Sequence, residues 1–131
     1  NGIHAHQSTL VRGLKQIQRT VFKLPRCYDY AKAMKDMIIP EDSNENVFPT
    51  ICPNFDHTPR SGTRGLVYTN SNPTTFYNHV RQILDVVAPK QNKFVFLKSW
   101  NEWGEGNYME PDEKYGKGYI EALRKALDDF Q

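Results

Sequence analysis

The chain has 131 residues, 38% of them hydrophobic, and its 17 basic and 15 acidic side chains give a formal net charge of +2. Because the basic residues are scattered rather than gathered into a stripe, the composition does not favour a nucleic-acid partner. No apolar run approaches the roughly 20 residues that cross a bilayer, so we expect no membrane span.

The cysteines and the chain ends give two further expectations. Cys27 and Cys52 are far apart in a mixed-charge chain, a pattern more typical of reduced thiols than of a disulfide. This predicts a cytoplasmic location, with the inner face of the membrane as the alternative. The sequence does not begin with Met, so we expect a piece of a longer protein, which forms one partial α/β domain over residues 1–131.

Residues 1–27 carry the weakest pattern of the chain. Four apolar residues before Pro25 are spaced like one face of a helix: Leu10, Leu14, Ile17 and Val21. His4 and His6 are two positions apart, a spacing that metal sites use, but no further ligand is clustered with them. The favoured interpretation is a frayed polar terminus, and no metal site is predicted.

From Asp29 onward the pattern becomes clearer. A short amphipathic helix that Pro40 stops is predicted from the helical spacing of Tyr30, Met34, Met37 and Ile38. Residues 41–46 are polar and are predicted to form a loop. Residues 47–52 are apolar and β-branched apart from Pro49, and they predict a short strand.

Polar side chains follow the predicted strand at residues 47–52 immediately. Asn54, Asp56 and Arg60 lie in a stretch stiffened by two prolines, which suggests a strand-end loop that carries functional groups. The alternative is an ordinary turn in which Asp56 and Thr58 bond the local backbone. Residues 61–72 are predicted to form a long surface loop around a small apolar piece at positions 66–68.

The second half of the chain alternates helix and strand. Pro73 opens the clearest helix, over residues 73–87, with Ser71 or Asn72 as its cap. Residues 94–97 form an apolar run typical of a strand buried on both faces. The last helix is marked by Tyr119, Ile120, Leu123, Leu127 and Phe130. We therefore expect residues 47–52 and 94–97 to lie parallel in one sheet, with the 73–87 helix as their crossover.

Residues 100–106 concentrate the chemistry of the chain. In parallel α/β folds ligands gather at the carboxyl ends of strands, so Asp56 and Arg60 are expected to share a cleft with Asn101, Glu102 and Glu105. A helix-like turn would let both glutamates face one substrate. Trp100 and Trp103 add flat apolar faces, which suit sugar rings. The alternative is that the tryptophans are core residues and the glutamates are solvated.

One long motif resembles the signature of the WbsX-type glycosyltransferases of bacterial surface-polysaccharide synthesis. It consists of Trp100-Asn101-Glu102-Trp103-Gly104-Glu105-Gly106, continued by Met109-Glu110-Pro111-Asp112 and then Tyr115-Gly116. The segment is also similar to the corresponding motif of the endo-α-mannosidase family of glycoside hydrolases. Upstream, Asn54-Phe55-Asp56 and Pro59-Arg60 match the WbsX pattern too. Phe55 departs from it, because many members have tryptophan there.

The resemblance implies a fold and a set of site residues. The fold is a (β/α)8 TIM-type barrel with parallel strands, of which this chain supplies the carboxyl-terminal part, since about 200 residues is the lower limit for a closed barrel. Glu102 would act as base on the sugar 2-hydroxyl, giving an anhydro-sugar intermediate, and Glu105 would be the acid/base at the leaving oxygen. The implied substrate contacts are Trp100, Asn101, Trp103, Asn54, Asp56, Arg60, Tyr108 and Glu110.

Three functions are open at this point. The first is a WbsX-type transferase, which needs no cofactor but would need a nucleotide-sugar donor. The second is a retaining endo-acting glycoside hydrolase that uses the same carboxylates. The third is a non-catalytic carbohydrate-binding or structural fragment. In all three the expected partner is a carbohydrate, and the oligomeric state is not indicated.

Overall fold

The computed structural model describes residues 9–130 and, at positions 9–20, the side chains of residues 11, 13, 14, 16 and 17 only. His4 and His6, considered above as metal ligands, lie outside the described residues. The chain order is α1 (Thr9–Phe22), β1 (Arg26–Asp29), α2 (Tyr30–Met37), β2 (Thr50–Ile51), α3 (Thr58–Ser61), β3 (Leu66–Thr69), α4 (Pro73–Val87), β4 (Phe96–Leu97), β5 (Asn101–Glu102), β6 (Asn107–Tyr108) and α5 (Gly118–Asp128).

Local sequence signals set the start of two helices. The Asn72 side chain accepts a hydrogen bond from the Thr75 backbone nitrogen over 3.0 Å, and the Thr75 hydroxyl accepts one from the Asn72 nitrogen over 3.0 Å. Pro73 then occupies the first helical position, where its missing N–H costs nothing. Asp29 caps α2 by accepting from Lys32. These caps satisfy amide groups that a helix leaves unpaired.

Parallel pairing brings the predicted strands together. β2 pairs with β4, with Thr50 opposite Phe96 and Ile51 opposite Leu97, and α4 is the long helix between them in sequence. The predicted parallel arrangement with α4 as crossover is therefore confirmed. β1 pairs with β3 in parallel, while β5 and β6 form an antiparallel hairpin. Across residues 9–130 the sheets are two-stranded and no barrel closes, so the barrel remains a prediction.

The core lies where α4 packs against α5 and β2. The buried side chains that form this core include Phe76, Val80, Ile83, Val87 and Tyr119. The Phe76 and Tyr119 rings meet edge to face with centroids 5.6 Å apart. Full burial of each large apolar side chain contributes roughly 1.5 to 3 kcal/mol, so this helix pair anchors the loops that follow β2 and β4.

Three sequence predictions need correction. Arg26–Asp29 forms β1, although residues 1–27 showed no strand pattern, because the strand is exposed along most of its length and is stabilised by pairing with β3. Residues 61–72 are not one loop: the apolar piece extends to Thr69 and forms β3. Pro40–Ser43 is a 3-10 helix that overlaps the stretch 41–46 predicted as loop, and the Ile39 nitrogen donates to the Asp42 carboxylate at its start.

The strand predicted at residues 94–97 is shorter and more exposed than expected. Only Phe96–Leu97 is paired, and Phe94 and Phe96 are 66% and 60% exposed. Their rings pack edge to face against Phe48, which is itself exposed. The prediction that this strand is buried on both faces is wrong for the described chain, because Val95 and Leu97 pack against the core whereas Phe94 and Phe96 are exposed.

The first helix also presents apolar side chains outward. Leu14, Ile17 and Val21 are 57%, 62% and 67% exposed, although their spacing along α1 is that of one helical face. Within residues 9–130, α1 and every other helix falls short of the length and apolar character that crossing a bilayer requires.

Candidate active site

Two loops form the site because β2 and β4 run parallel. Their carboxyl ends point to the same edge, where residues 52–57 lead into α3 and residues 98–106 lead through β5 into a turn of 3-10 helix at Trp103–Glu105. The loops are joined by a backbone hydrogen bond from the Asp56 nitrogen to the Glu105 oxygen over 2.8 Å. A single edge therefore carries both polar segments, as the sequence predicts.

Gly106 allows the two loops to approach closely. Its backbone is left-handed at φ +51°, and a Cβ atom there would lie 2.9 Å from Asp56 Cβ and 3.0 Å from the Asp56 nitrogen. No side chain fits against this backbone without moving it. The glycine that closes the tryptophan-rich motif is thus a packing requirement of the site.

Arg60 contacts both motif glutamates. Its Nη2 donates to Glu102 Oε1 over 3.0 Å, and its Nη1 lies 3.5 Å from Glu105 Oε1. The 3-10 turn at Trp103–Glu105 is the helix-like turn that brings the two carboxylates to the same guanidinium. The prediction that Arg60 lies beside Glu102 or Glu105 is therefore confirmed.

Two further basic residues join this group, and the sequence analysis did not single them out. Lys98 Nζ lies 3.4 Å from Glu105 Oε2, and His57 Nε2 lies 4.0 Å from Glu105 Oε1. The His57 Nδ1 atom is 3.1 Å from the Ser61 hydroxyl. Both basic residues lie just beyond the carboxyl ends of β2 and β4, a signal that could have identified them. We call Arg60, Glu102, Glu105, His57 and Lys98 the acid–base cluster.

Trp103 is fixed beside the cluster by two neighbours. Its indole stacks on Tyr108 with centroids 3.8 Å apart and an interplanar angle of 15°, and its Nε1 donates to Glu110 Oε2 over 2.6 Å. Trp103 nevertheless remains 47% exposed, so part of the indole is open to a ligand. Burial and the nearby Asp112 carboxylate raise the pKa of Tyr108.

The remaining predicted contacts differ in accessibility. Trp100 is 50% exposed, so it is no more a core residue than Trp103 is. Asn101 is exposed as well. The Trp100 carbonyl accepts from the Met109 nitrogen over 2.8 Å, which holds this backbone in place. Asp56 uses Oδ1 to accept from the Thr58 nitrogen and hydroxyl, the local turn that was the alternative interpretation of this loop.

Asn54 is buried and holds the β5–β6 hairpin through hydrogen bonds. It is 7% exposed, and its Oδ1 accepts from the Tyr108 nitrogen over 2.9 Å. Its carbonyl accepts from the fully buried Asn107 side chain, which also contacts Cys52 Sγ over 3.2 Å. Cys52 is a free thiol, and burial raises its pKa to about 11. These contacts position the β5–β6 hairpin over the loop that follows β2.

A cavity of about 570 Å³ lies next to the cluster, and we call it the polar cavity. Its lining comes from three segments, residues 54–59, 67–72 and 106–119, and includes Asn54, Asp56 and Tyr108. The two motif glutamates, Arg60 and the two tryptophans do not line it. The structure thus assigns some predicted site residues to the acid–base cluster and others to the polar cavity. Four belong to neither group: Trp100, Asn101, Trp103 and Glu110.

Metal ligands are not gathered at this edge. Within the described residues, no three His, Cys, Asp or Glu side chains are placed to hold a metal ion. The carboxylates of the cluster are engaged by cationic side chains instead.

Comparison with known proteins places both loops within a matched family region. The family model described as glycosyltransferase WbsX matches residues 2–123, which include both loops. The protein WxcX of Xanthomonas campestris pv. campestris strain B100, which is described as uncharacterized, is 28% identical over 103 residues. The WxcX protein of strain ATCC 33913 is 28% identical over 102 residues.

The two relatives are much longer than the matched region. Each alignment covers 76% of this chain but 15% of the relative. No solved structure matches the chain significantly.

Proposed function

The chain belongs to the WbsX glycosyltransferase family, and from this premise we propose that it provides the acid–base groups of a site that moves sugar residues in polysaccharide biosynthesis. The chain corresponds to 15% of the length of its curated relatives. The activity is therefore proposed for the protein as a whole, with the acid–base cluster as its reacting centre.

One observation carries the proposal: a single guanidinium, that of Arg60, reaches both Glu102 and Glu105, at 3.0 and 3.5 Å. Two carboxylates that share one guanidinium lie close enough together to act on one substrate. Glycosyl transfer needs a base for the attacking hydroxyl and a group that stabilises the departing oxygen. The cluster contains candidates for both tasks.

The different surroundings of the two glutamates suggest their roles. The Glu102 side chain is 37% exposed and ion-paired with Arg60, whereas the Glu105 side chain is 22% exposed and has Arg60, Lys98 and His57 as neighbours. We assign the more accessible Glu102 as the base. Glu105 and its basic neighbours are assigned to the leaving-group side.

In this reaction Glu102 takes the proton of an acceptor hydroxyl while the acceptor oxygen bonds to the sugar C1 atom. The bond between C1 and the leaving oxygen breaks, and its electron pair stays on that oxygen. If the donor is a nucleotide sugar, the leaving diphosphate is anionic, and Arg60 and Lys98 can stabilise it through charge-assisted hydrogen bonds. If the donor is an oligosaccharide, Glu105 first takes up a proton from solvent and then gives it to the leaving oxygen as the bond to C1 breaks.

The test uses the full-length protein with two classes of substrate. One set of reactions contains nucleotide sugars with an oligosaccharide acceptor, and the other contains α-linked oligosaccharides alone. Acceptor-dependent release of nucleoside diphosphate is the expected result. New reducing ends without a nucleotide sugar would instead indicate a hydrolase with the same carboxylates, and consumption of neither class would contradict an enzymatic role.

A further inference from the structure

We propose that the polar cavity is a second carbohydrate-binding subsite, which holds the pyranose ring adjacent to the one processed at the acid–base cluster. The inference rests on the proposed function for the reaction but predicts binding that does not require turnover. The cavity volume of about 570 Å³ lies in the range of small-molecule sites.

The lining of the cavity offers the groups that a sugar ring needs. Asn54, Asn70 and Ser71 supply amide and hydroxyl groups, and the aromatic rings come from Tyr68, Tyr108 and Tyr115. A pyranose has hydroxyl groups around its edge and C–H patches on its faces, so mixed amide and aromatic walls match both kinds of surface. Of these six residues, the sequence analysis predicted Asn54 and Tyr108 as substrate contacts.

The floor of the cavity is preorganised. Tyr119 is 2% exposed, and its hydroxyl lies near the side chains of Ser71 and Asn54. Burial raises the pKa of Tyr119 to about 12, so the hydroxyl stays neutral. Its ring meets the Tyr115 ring edge to face with centroids 5.8 Å apart. A fixed set of polar groups lowers the entropy that binding has to offset.

The cavity shares its wall with the acid–base cluster. Tyr108 lines the cavity and stacks on Trp103, which lies between the two motif glutamates in sequence. Asp56 and Gly106 also line the cavity, and the Asp56 nitrogen bonds the Glu105 carbonyl. Two neighbouring rings of one glycan can therefore occupy the cavity and the cluster together.

The charges of the lining favour a sugar over an isolated phosphate group. One lining residue, Lys114, is cationic, and its ammonium lies 4.8 Å from the centre of the Tyr115 ring. One lining residue, Asp56, is acidic, and its carboxylate is engaged by Thr58. The cavity thus has no excess of positive charge of the kind that phosphate sites use.

The first test measures binding without turnover. Full-length Glu102→Gln protein is titrated with methyl glycosides of hexoses and 6-deoxyhexoses, and saturation-transfer NMR reports binding. We expect at least one glycoside to bind and Ser71→Trp, which fills the cavity, to weaken it by roughly tenfold or more. Ser43→Trp, an exposed serine outside the lining, is the matched control. No binding by any glycoside, or equal effects of the two tryptophans, would overturn the subsite.

A second measurement is independent of whether Ser71→Trp folds. In protein with labelled tyrosines, the bound glycoside should show nuclear Overhauser effects to the rings of Tyr108 and Tyr115, and effects confined to other residues would contradict the placement. For a glycan that the protein uses as a substrate, Ser71→Trp should raise KM while kcat changes little. If no substrate is turned over but glycoside binding responds to Ser71→Trp, the proposed function fails and the subsite stands.

Discussion

Arg60 donates a hydrogen bond to Glu102 over 3.0 Å although the two residues are 42 positions apart in the chain. The same guanidinium lies over Gly104, where a Cβ atom would be 2.9 Å from Arg60 Nε. The absence of a side chain at Gly104 therefore gives Arg60 room to reach both carboxylates. The parallel pairing of β2 and β4 makes this contact possible.

The first prediction concerns Arg60→Lys. Lysine keeps the charge but has no planar fork, so it cannot reproduce the two separate contacts that Nη2 and Nη1 make with the glutamates. We expect turnover to fall by roughly tenfold to a hundredfold. The side chain is 53% exposed, so the free energy of unfolding should change by less than about 1 kcal/mol. Arg64→Lys, at another exposed arginine, is the control, and full activity of Arg60→Lys would argue against a bridging role.

The second prediction concerns Glu102→Gln and Glu105→Gln. An amide cannot exchange the proton that the proposed reaction needs, so each variant should lose at least about a hundredfold in turnover. Thermal unfolding should change little, because both side chains are partly exposed. Glu121→Gln on the exposed side of α5 serves as the matched substitution. Near-normal turnover of both motif variants would favour a binding module with Trp100, Asn101 and Trp103 as its sugar contacts.

The third prediction separates Glu110 from the motif glutamates. Glu110 accepts the Trp103 indole hydrogen bond over 2.6 Å, so it anchors the loop. Glu110→Ala should lower the free energy of unfolding by about 1 kcal/mol and reduce turnover because Trp103 loses its orientation. Urea denaturation and an activity assay measure the two effects. Glu113→Ala, at an exposed neighbour, should show neither, and an unchanged stability of Glu110→Ala would refute the anchoring role.

The fourth prediction compares two left-handed glycines. Gly106 and Gly116 have φ values of +51° and +54°, but of the two only Gly106 faces another loop, where an added Cβ atom would lie within 3.0 Å of Asp56 atoms. Gly116→Ala should cost about 1 to 2 kcal/mol for the left-handed backbone alone. Gly106→Ala should cost more, because Asp56 must also move. Chemical denaturation measures the loss of unfolding free energy in both variants. Equal losses would show that Asp56 moves aside at little energetic cost.

The fifth prediction concerns pH and the buried His79. Its side chain is 3% exposed, and in the described part of the chain neither ring nitrogen has a hydrogen-bond partner of good geometry. Burial lowers its pKa from 6.5 to about 4, while the backbone at Thr50 acts in the opposite direction. Between about pH 4 and pH 6.5 the native state therefore binds fewer protons than the unfolded chain.

Stability should accordingly fall as the pH decreases from about 6.5 to about 4, by up to about 3 kcal/mol at about 1.4 kcal/mol per pH unit. Urea denaturation at several pH values measures this slope. In His79→Phe, which retains a ring that can meet Tyr30 edge to face, the histidine part of the slope should disappear. A slope equal to that of the parent protein would show that other groups cause the acid sensitivity.

Local signals in the sequence determined much of this protein. The cap at Asn72, the first-turn Pro73 and the apolar spacing predicted α4 with the bounds that the structure shows. The alternation of helices and strands predicted the parallel pairing of β2 with β4. The dense motif at residues 100–106 identified the edge that bears the site, because residue type and spacing are properties of the chain itself.

Tertiary contacts decided the rest. β1 is exposed along most of its length and has no apolar alternation, so only its pairing with β3 makes it a strand. His57 and Lys98 became part of the cluster because the two loops meet through the Asp56 and Glu105 backbones. The polar cavity combines side chains from residues 54 to 119. Such long-range neighbours depend on how the loops pack, which no local pattern of residues specifies.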